Sequence, residues 1–221
     1  MIRIKICGLT NLRDARAAVA AGADWLGFVF FKKSPRYITP EAARRIIARL
    51  PEKIMKVGVF VDEPAARVRA IAGACGLDIL QFHGRETAAY GRRFKNYPVM
   101  KAVRVKDAAS LKKARQWPAD YLLLDAFCPG AFGGTGKTFD WRLLPWVKKI
   151  RKPVFISGGL SADNVGALLT RIAPFGVDVS SGVEKSPGKK DARKMRAFVM
   201  TVRRNSSTSS TSSTSSTSST S

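Results

Sequence analysis

Short apolar runs alternate with longer amphipathic stretches from one end of this chain almost to the other, and no other feature restricts the fold as strongly. Eight runs of strand length occupy residues 2–7, 25–30, 55–61, 79–83, 99–103, 121–125, 154–157 and 177–180. Between them lie segments such as "NLRDARAAVAAGA", "TPEAARRIIARL", "EPAARVRAIAGACG" and "SADNVGALLTRIA", each opened by a capping residue or proline and most closed near glycine. That spacing marks helices. Strands separated by helices pair in parallel, because each crossover returns the chain to the same end of the sheet. Eight such units within about 200 residues predict a single α/β domain, a (β/α)8 TIM barrel near the lower size limit of that fold. An open doubly wound sheet is the alternative, since periodicity does not reveal closure. Residues 87–98 carry the weakest helical pattern. From Asn205 the sequence becomes "SSTSSTSSTSSTSSTS", with nothing apolar to bury. Residues 1–204 are therefore expected to form the barrel and 205–221 a disordered C-terminal tail.

Composition narrows the chemistry. Cys7, Cys75 and Cys128 are odd in number and show no paired spacing, which suggests neither a disulfide framework nor a zinc site. A single histidine, His83, argues against a His-based metal site or a Ser-His-Asp triad built elsewhere. No apolar stretch approaches the roughly 18 residues of a membrane span, and residues 1–8 are too short and strand-like for a secretion signal. A cytoplasmic location and no membrane partner are the default expectations. The net charge of +23 attracts anions of every kind. Its lysines and arginines are dispersed over the helices rather than gathered in a stripe, which fits a solvated outer surface and non-specific adhesion to polyanions rather than a specific nucleic-acid site.

Residues 131–138, "AFGGTGKT", end like a phosphate-binding P-loop, with Ala131 in place of the first glycine. The context is wrong. A P-loop needs a strand running into the glycines and a helix beginning at the lysine, whereas "AFCPG" intervenes after Asp125, and Asp140 is the better helix N-cap, leaving Lys137 in the loop. Gly134 and Gly136 instead suit a flexible loop after strand six that covers a ligand.

In such a barrel, polar groups at the C-terminal strand ends build the active site. Alternation places Ile2, Ile4 and Ile6 on one face and Arg3, Lys5 and Cys7 on the other. With the isoleucines under the helices, Cys7 tops the inward face with Lys5 one layer below. A thiol acts as a base only as thiolate, and a nearby ammonium would lower its pKa; a small buried hydrophobe is the other role open to it. Cys75 and Cys128 look like that second case. Asp125 follows three leucines, where partial desolvation favours its neutral form and suits it to be an acid. Cys7 and Asp125 would face each other across the barrel mouth, as a proton-moving isomerisation requires. Gly158 and Gly159 after strand seven, and Ser181 and Gly182 after strand eight, occupy loops that often hold a phosphate on backbone N–H groups. Arg36, in the long loop after strand two, could clamp a carboxylate through two parallel hydrogen bonds. For a lone His83 a structural hydrogen bond is the simpler role.

The segments "KICGLTNLRDA", "GFVFFKKSPRYI", "VGVFVDEP", "LQFHG", "LLLDAF" with "GGTGKTFDW", "SGGLSADNV" and "GVDVSSGVEKSPGKKD", in this order from Lys5 to Asp191, give the chain its resemblance to the phosphoribosylanthranilate isomerases of tryptophan biosynthesis. The resemblance implies Cys7 as general base, Asp125 as general acid, Arg36 on the anthranilate carboxylate, and the three glycine loops around the phosphate. It places His83 and Asp178 near the substrate. It further implies a small phosphorylated substrate, an Amadori rearrangement without metal or organic cofactor, and a monomer or homodimer. Two alternatives stand beside it. Another aminoaldose-ketose isomerase on the same barrel would be expected to carry paired aspartates, and Cys7 argues against it; a non-enzymatic polyanion-binding protein rests on the charge alone.

Overall fold

A computed structural model describes residues 1–126 and 141–208. Cys128, Gly134, Gly136, Lys137 and Asp140 lie outside the described residues, as does the chain beyond Thr208.

The strands are β1 (Arg3–Cys7), β2 (Trp25–Val29), β3 (Met55–Phe60), β4 (Ile79–Phe82), β5 (Val99–Val105), β6 (Tyr121–Ala126), β7 (Val154–Ile156) and β8 (Gly176–Val179). They pair in sequence order, all parallel, and β8 returns to β1 to close the barrel. Closure removes the open-sheet alternative. The helices are α1 (Leu12–Ala21), α2 (Pro40–Ile47), α3 (Ala65–Cys75), α4 (Ala88–Gly91), α5 (Ala108–Gln116), α6 (Leu144–Val147), α7 (Ala162–Leu169) and α8 (Ala192–Thr208).

Helix starts follow the capping residues. Asn11, Thr39, Asp107 and Ser161 each accept a backbone N–H of the following first turn, and Gly22 ends α1 in the left-handed conformation. The weak segment at 87–98 yields only the single turn of α4, capped by Thr87, and Phe94 then covers that side of β4 with its ring 5.0 Å from Phe82. Helix α8 runs on to Thr208. It continues four residues past the expected border, with Asn205 Nδ2 donating to the Thr201 carbonyl and Ser206 Oγ to that of Val202.

Alternation along the strands sorts two cores. Ile2, Ile4 and Ile6 face outward into the layer under the helices, while Trp25, Val57, Ile79, Met100, Leu123 and Phe155 fill the barrel interior. Burying a ring such as Phe155 contributes on the order of 2 kcal/mol. At the N-terminal end Trp25, Tyr121, Phe155 and Phe175 pack ring against ring, with centroids 4.7 Å apart for Trp25–Phe155 and 5.5 Å for Phe155–Phe175. That end of the barrel is shut. Higher in the barrel, Cys7, Val29 and Val59 form a small apolar cluster at the mouth. Among the described residues no helix is long and apolar enough to cross a membrane.

Candidate active site

The C-terminal strand ends surround a cavity that opens outward. It is bordered by Cys7 on β1, Arg36 after β2, Gln81 and His83 at β4, Asp125 on β6, Ser157 to Gly159 after β7, and Asp178, Ser180 and Ser181 along β8. Of the predicted residues within the described chain, all but Gly182 border this one cavity, and Gly182 follows Ser181 directly.

Charge is layered beneath the thiol. Lys5, fully buried, lies directly beside Asp178 in the β1–β8 register and donates from Nζ to Asp178 Oδ1 at 2.7 Å. Ser157 Oγ donates to the other oxygen at 3.1 Å. Burial works against the Lys5 ammonium, but Asp178 and Cys7 outweigh it and hold the group above its ordinary pKa. For Cys7 the balance runs the other way. Burial pushes the thiol up and Asp178 adds to it, while Lys5 and Lys190 pull down without offsetting the shift. The expectation that a nearby ammonium would lower the thiol is corrected in net direction, because Cys7 stands deeper than its position at a strand end suggests.

Arg36 reaches the cavity on an ordered loop. Ile38 N–H bonds the Val29 carbonyl at 3.0 Å, and Ser34 Oγ accepts the Arg36 N–H at 3.1 Å. The guanidinium is not solvated. Its Nε and Nη2 donate to the two oxygens of Glu184 at 2.9 and 2.8 Å, and Lys190 Nζ donates to Glu184 Oε1 at 2.8 Å. Glu184 and Lys190 come from the hairpin of β9 (Glu184–Ser186) and β10 (Lys189–Lys190). The two parallel bonds expected for a ligand are thus already made to protein, which leaves the outer Nη1/Nη2 edge for a second carboxylate. Burial pushes Glu184 up, yet Arg36 and Lys190 overcome it and hold the carboxyl below its usual range. Lys190 moves down instead, since burial and the neighbouring Arg36 cation outweigh its one carboxylate. The two partners respond differently because two cations share a single anion, and Glu184 is the more firmly ionised member.

His83 stands between Gln81 and Asp125. Its Nδ1 lies 3.2 Å from Gln81 Nε2, and its Nε2 lies 3.3 Å from Asp125 Oδ2, close but without the angles of a hydrogen bond. The structural role expected of a lone histidine thus becomes a position in the cavity wall.

The two glycine loops pack against each other. Gly158 has φ of +92°, and a Cβ there would meet the Ala126 backbone N at 2.5 Å. At Gly182 a Cβ would come within 1.9 Å of the Leu160 carbonyl oxygen. Only glycine fits either place, so the loops after β7 and β8 approach closely enough to present backbone N–H groups together.

Sequence reasoning passed over Glu184, Lys190 and Gln81. Glu184 and Lys190 were visible within "SSGVE" and "PGKKD", and Gln81 shares its strand parity with His83. The pairing of Glu184 with Arg36 spans 148 residues and leaves no local signal.

Comparison with known proteins follows the same lines. A family model of N-(5'-phosphoribosyl)anthranilate (PRA) isomerase matches residues 4–201. The N-(5'-phosphoribosyl)anthranilate isomerase of Pelobacter propionicus is 48% identical over 207 residues, covering 94% of this chain and 98% of that protein. The crystal structure of the Thermotoga maritima phosphoribosyl anthranilate isomerase has a TM-score of 0.87 at 41% identity, over 92% of this chain and all (100%) of that one. A second such structure, with a TM-score of 0.84 at 40% identity over 92% and 100% of the two chains, is a complex with reduced 1-(o-carboxyphenylamino)-1-deoxyribulose 5-phosphate. From its first strand to its last helix, this chain belongs to the N-(5'-phosphoribosyl)anthranilate isomerase family.

Proposed function

We propose that the chain catalyses the Amadori rearrangement of N-(5'-phosphoribosyl)anthranilate in tryptophan biosynthesis, with Cys7 as general base and Asp125 as general acid. The observation that carries the assignment is their position on β1 and β6 at one cavity, flanked by a glycine-loop anion site and an arginine with a free edge. Asp125 gives its proton to the furanose ring oxygen as the C1–O bond breaks, and the anilino nitrogen lone pair forms the C=N⁺ bond. The Cys7 thiolate then takes the proton from C2, and the C–H electrons flow into the iminium to give an enolamine. Loss of the C2 hydroxyl proton and protonation at C1 complete the ketone. The substrate's own nitrogen is the electron sink.

Each surrounding group has a part in this scheme. The ammonium of Lys5 is a fixed counter-charge for the thiolate when it forms, in a layer that water does not reach. Gly158, Gly159, Ser181 and Gly182 hold the phosphate, while the open edge of Arg36 takes the anthranilate carboxylate. These remote contacts hold the reacting carbons between the two catalytic groups. His83 and Asp178 line the sugar. We place the folded domain at residues 1–208, acting as a monomer or homodimer in the cytoplasm. Purified protein should abolish the fluorescence of phosphoribosylanthranilate with saturation kinetics. Failure to turn over this substrate, with turnover of another phosphorylated aminoaldose, would favour the alternative isomerase.

A further inference from the structure

Among the described residues, the buried side-chain polar atoms that lack a hydrogen-bond partner are Gln81 Oε1 and His83 Nε2. Both belong to the inward face of β4 and border the cavity. Gln81 is only 1% exposed, yet its amide oxygen has no partner. A methionine would fill that position without the desolvation cost, so the amide needs another reason to be there. Its one contact with a side chain supplies it.

An amide NH2 can donate but not accept. With Gln81 Nε2 3.2 Å from His83 Nδ1, that ring nitrogen is the acceptor and the proton of the neutral imidazole sits on Nε2. Nε2–H then faces Asp125 Oδ2 at 3.3 Å. The reverse amide orientation would require Nδ1–H and would leave no ring proton on the side that faces Asp125 Oδ2.

We infer that Gln81 is a positioning residue, which fixes His83 as its Nε2–H tautomer so that the ring N–H faces Oδ2 of Asp125 and leaves Oδ1 to present the acidic proton. The inference rests on the proposed role of Asp125. A carboxyl free to rotate would share its proton between two directions, whereas one anchored oxygen commits it to the ligand side. At 3.3 Å the Nε2 contact is near enough for a hydrogen bond but lacks its angles in the unliganded site.

The chain's single histidine makes the test clean. In full-length protein labelled with ¹⁵N-histidine, long-range ¹H–¹⁵N spectra read one ring without substrate. Wild type should show Nε2 protonated and Nδ1 as acceptor. Gln81→Met should lose that preference and reduce kcat on the order of tenfold with KM little changed. Should Gln81→Met not fold, Gln81→Leu carries the same test, because it too removes the donor to Nδ1 and should lose the preference while lowering kcat. A wild-type ring protonated on Nδ1, an unchanged tautomer in the variants, or a changed tautomer with wild-type kcat overturns the inference. Because the spectrum needs no substrate, its failure is distinct from failure of the isomerase assignment, which turnover alone reports.

Discussion

Replacing Lys5 by methionine tests whether the charge beneath the cavity is structural, chemical or both. The ammonium is fully buried 2.7 Å from Asp178, and its removal leaves that carboxylate with the Ser157 hydroxyl alone at 3.1 Å. Breaking a buried ion pair by removing one partner costs about 3–5 kcal/mol, since the survivor stays desolvated and unpaired. At about 2–4 °C per kcal/mol for a domain of this size, Lys5→Met should melt roughly 6–20 °C below wild type. Adding Asp178→Asn removes the stranded charge and keeps an acceptor for Ser157, so Lys5→Met/Asp178→Asn should recover about half or more of that loss. Turnover should not recover with stability, because the thiolate still lacks its fixed counter-charge. Circular dichroism melting and a turnover assay on the same samples separate the two effects. A single variant within about 1 kcal/mol of wild type, or a double variant no more stable than the single, refutes the reasoning.

Cys7→Ala and Asp125→Ala should each reduce kcat by about 10²–10⁴ with the far-ultraviolet spectrum unchanged; wild-type rates in either end the acid–base assignment. Burial holds the Cys7 thiol above its ordinary value, and the base works only as thiolate, so kcat/KM should still be rising with pH beyond about 8.5. A limb complete below neutral pH contradicts this. Glu184 is held below the usual carboxylate range, so its contribution to stability is complete above that range and is lost as pH falls through the lowered value. Glu184→Gln should flatten this acid limb of a melting-temperature profile, and an unchanged slope would show that the carboxylate is not the source. Arg36→Ala should chiefly raise KM, and Glu184→Gln should do the same to a smaller degree by releasing the guanidinium; an effect confined to kcat in both would remove Arg36 from ligand binding.

Much of this was legible because parallel strands and their inward faces obey simple periods. The alternation of Ile2, Ile4 and Ile6 with Lys5 and Cys7 was enough to set the lysine under the thiol, and β8 added only the identity of its partner, Asp178. Strand ends at Cys7 and Asp125 could be read for the same reason. What stayed hidden depends on distance across the fold or on depth. Arg36 reads as a free cation until the hairpin brings Glu184 onto its fork from 148 residues away. The direction of the Cys7 shift depends on how completely the site is buried, which a neighbouring Lys5 in the sequence does not report. Gln81 in "LQFHG" resembles an ordinary polar strand residue until its missing partner is counted.

The stack of Trp25, Tyr121, Phe155 and Phe175 has a consequence for traffic. Among the described residues, those rings brick up the chamber's far wall. Whatever enters must back out the way it came, and a lingering product keeps the next molecule waiting on the threshold. A downstream catalyst can therefore receive the ketose only on the doorway side, and no handover through the barrel axis is open to it.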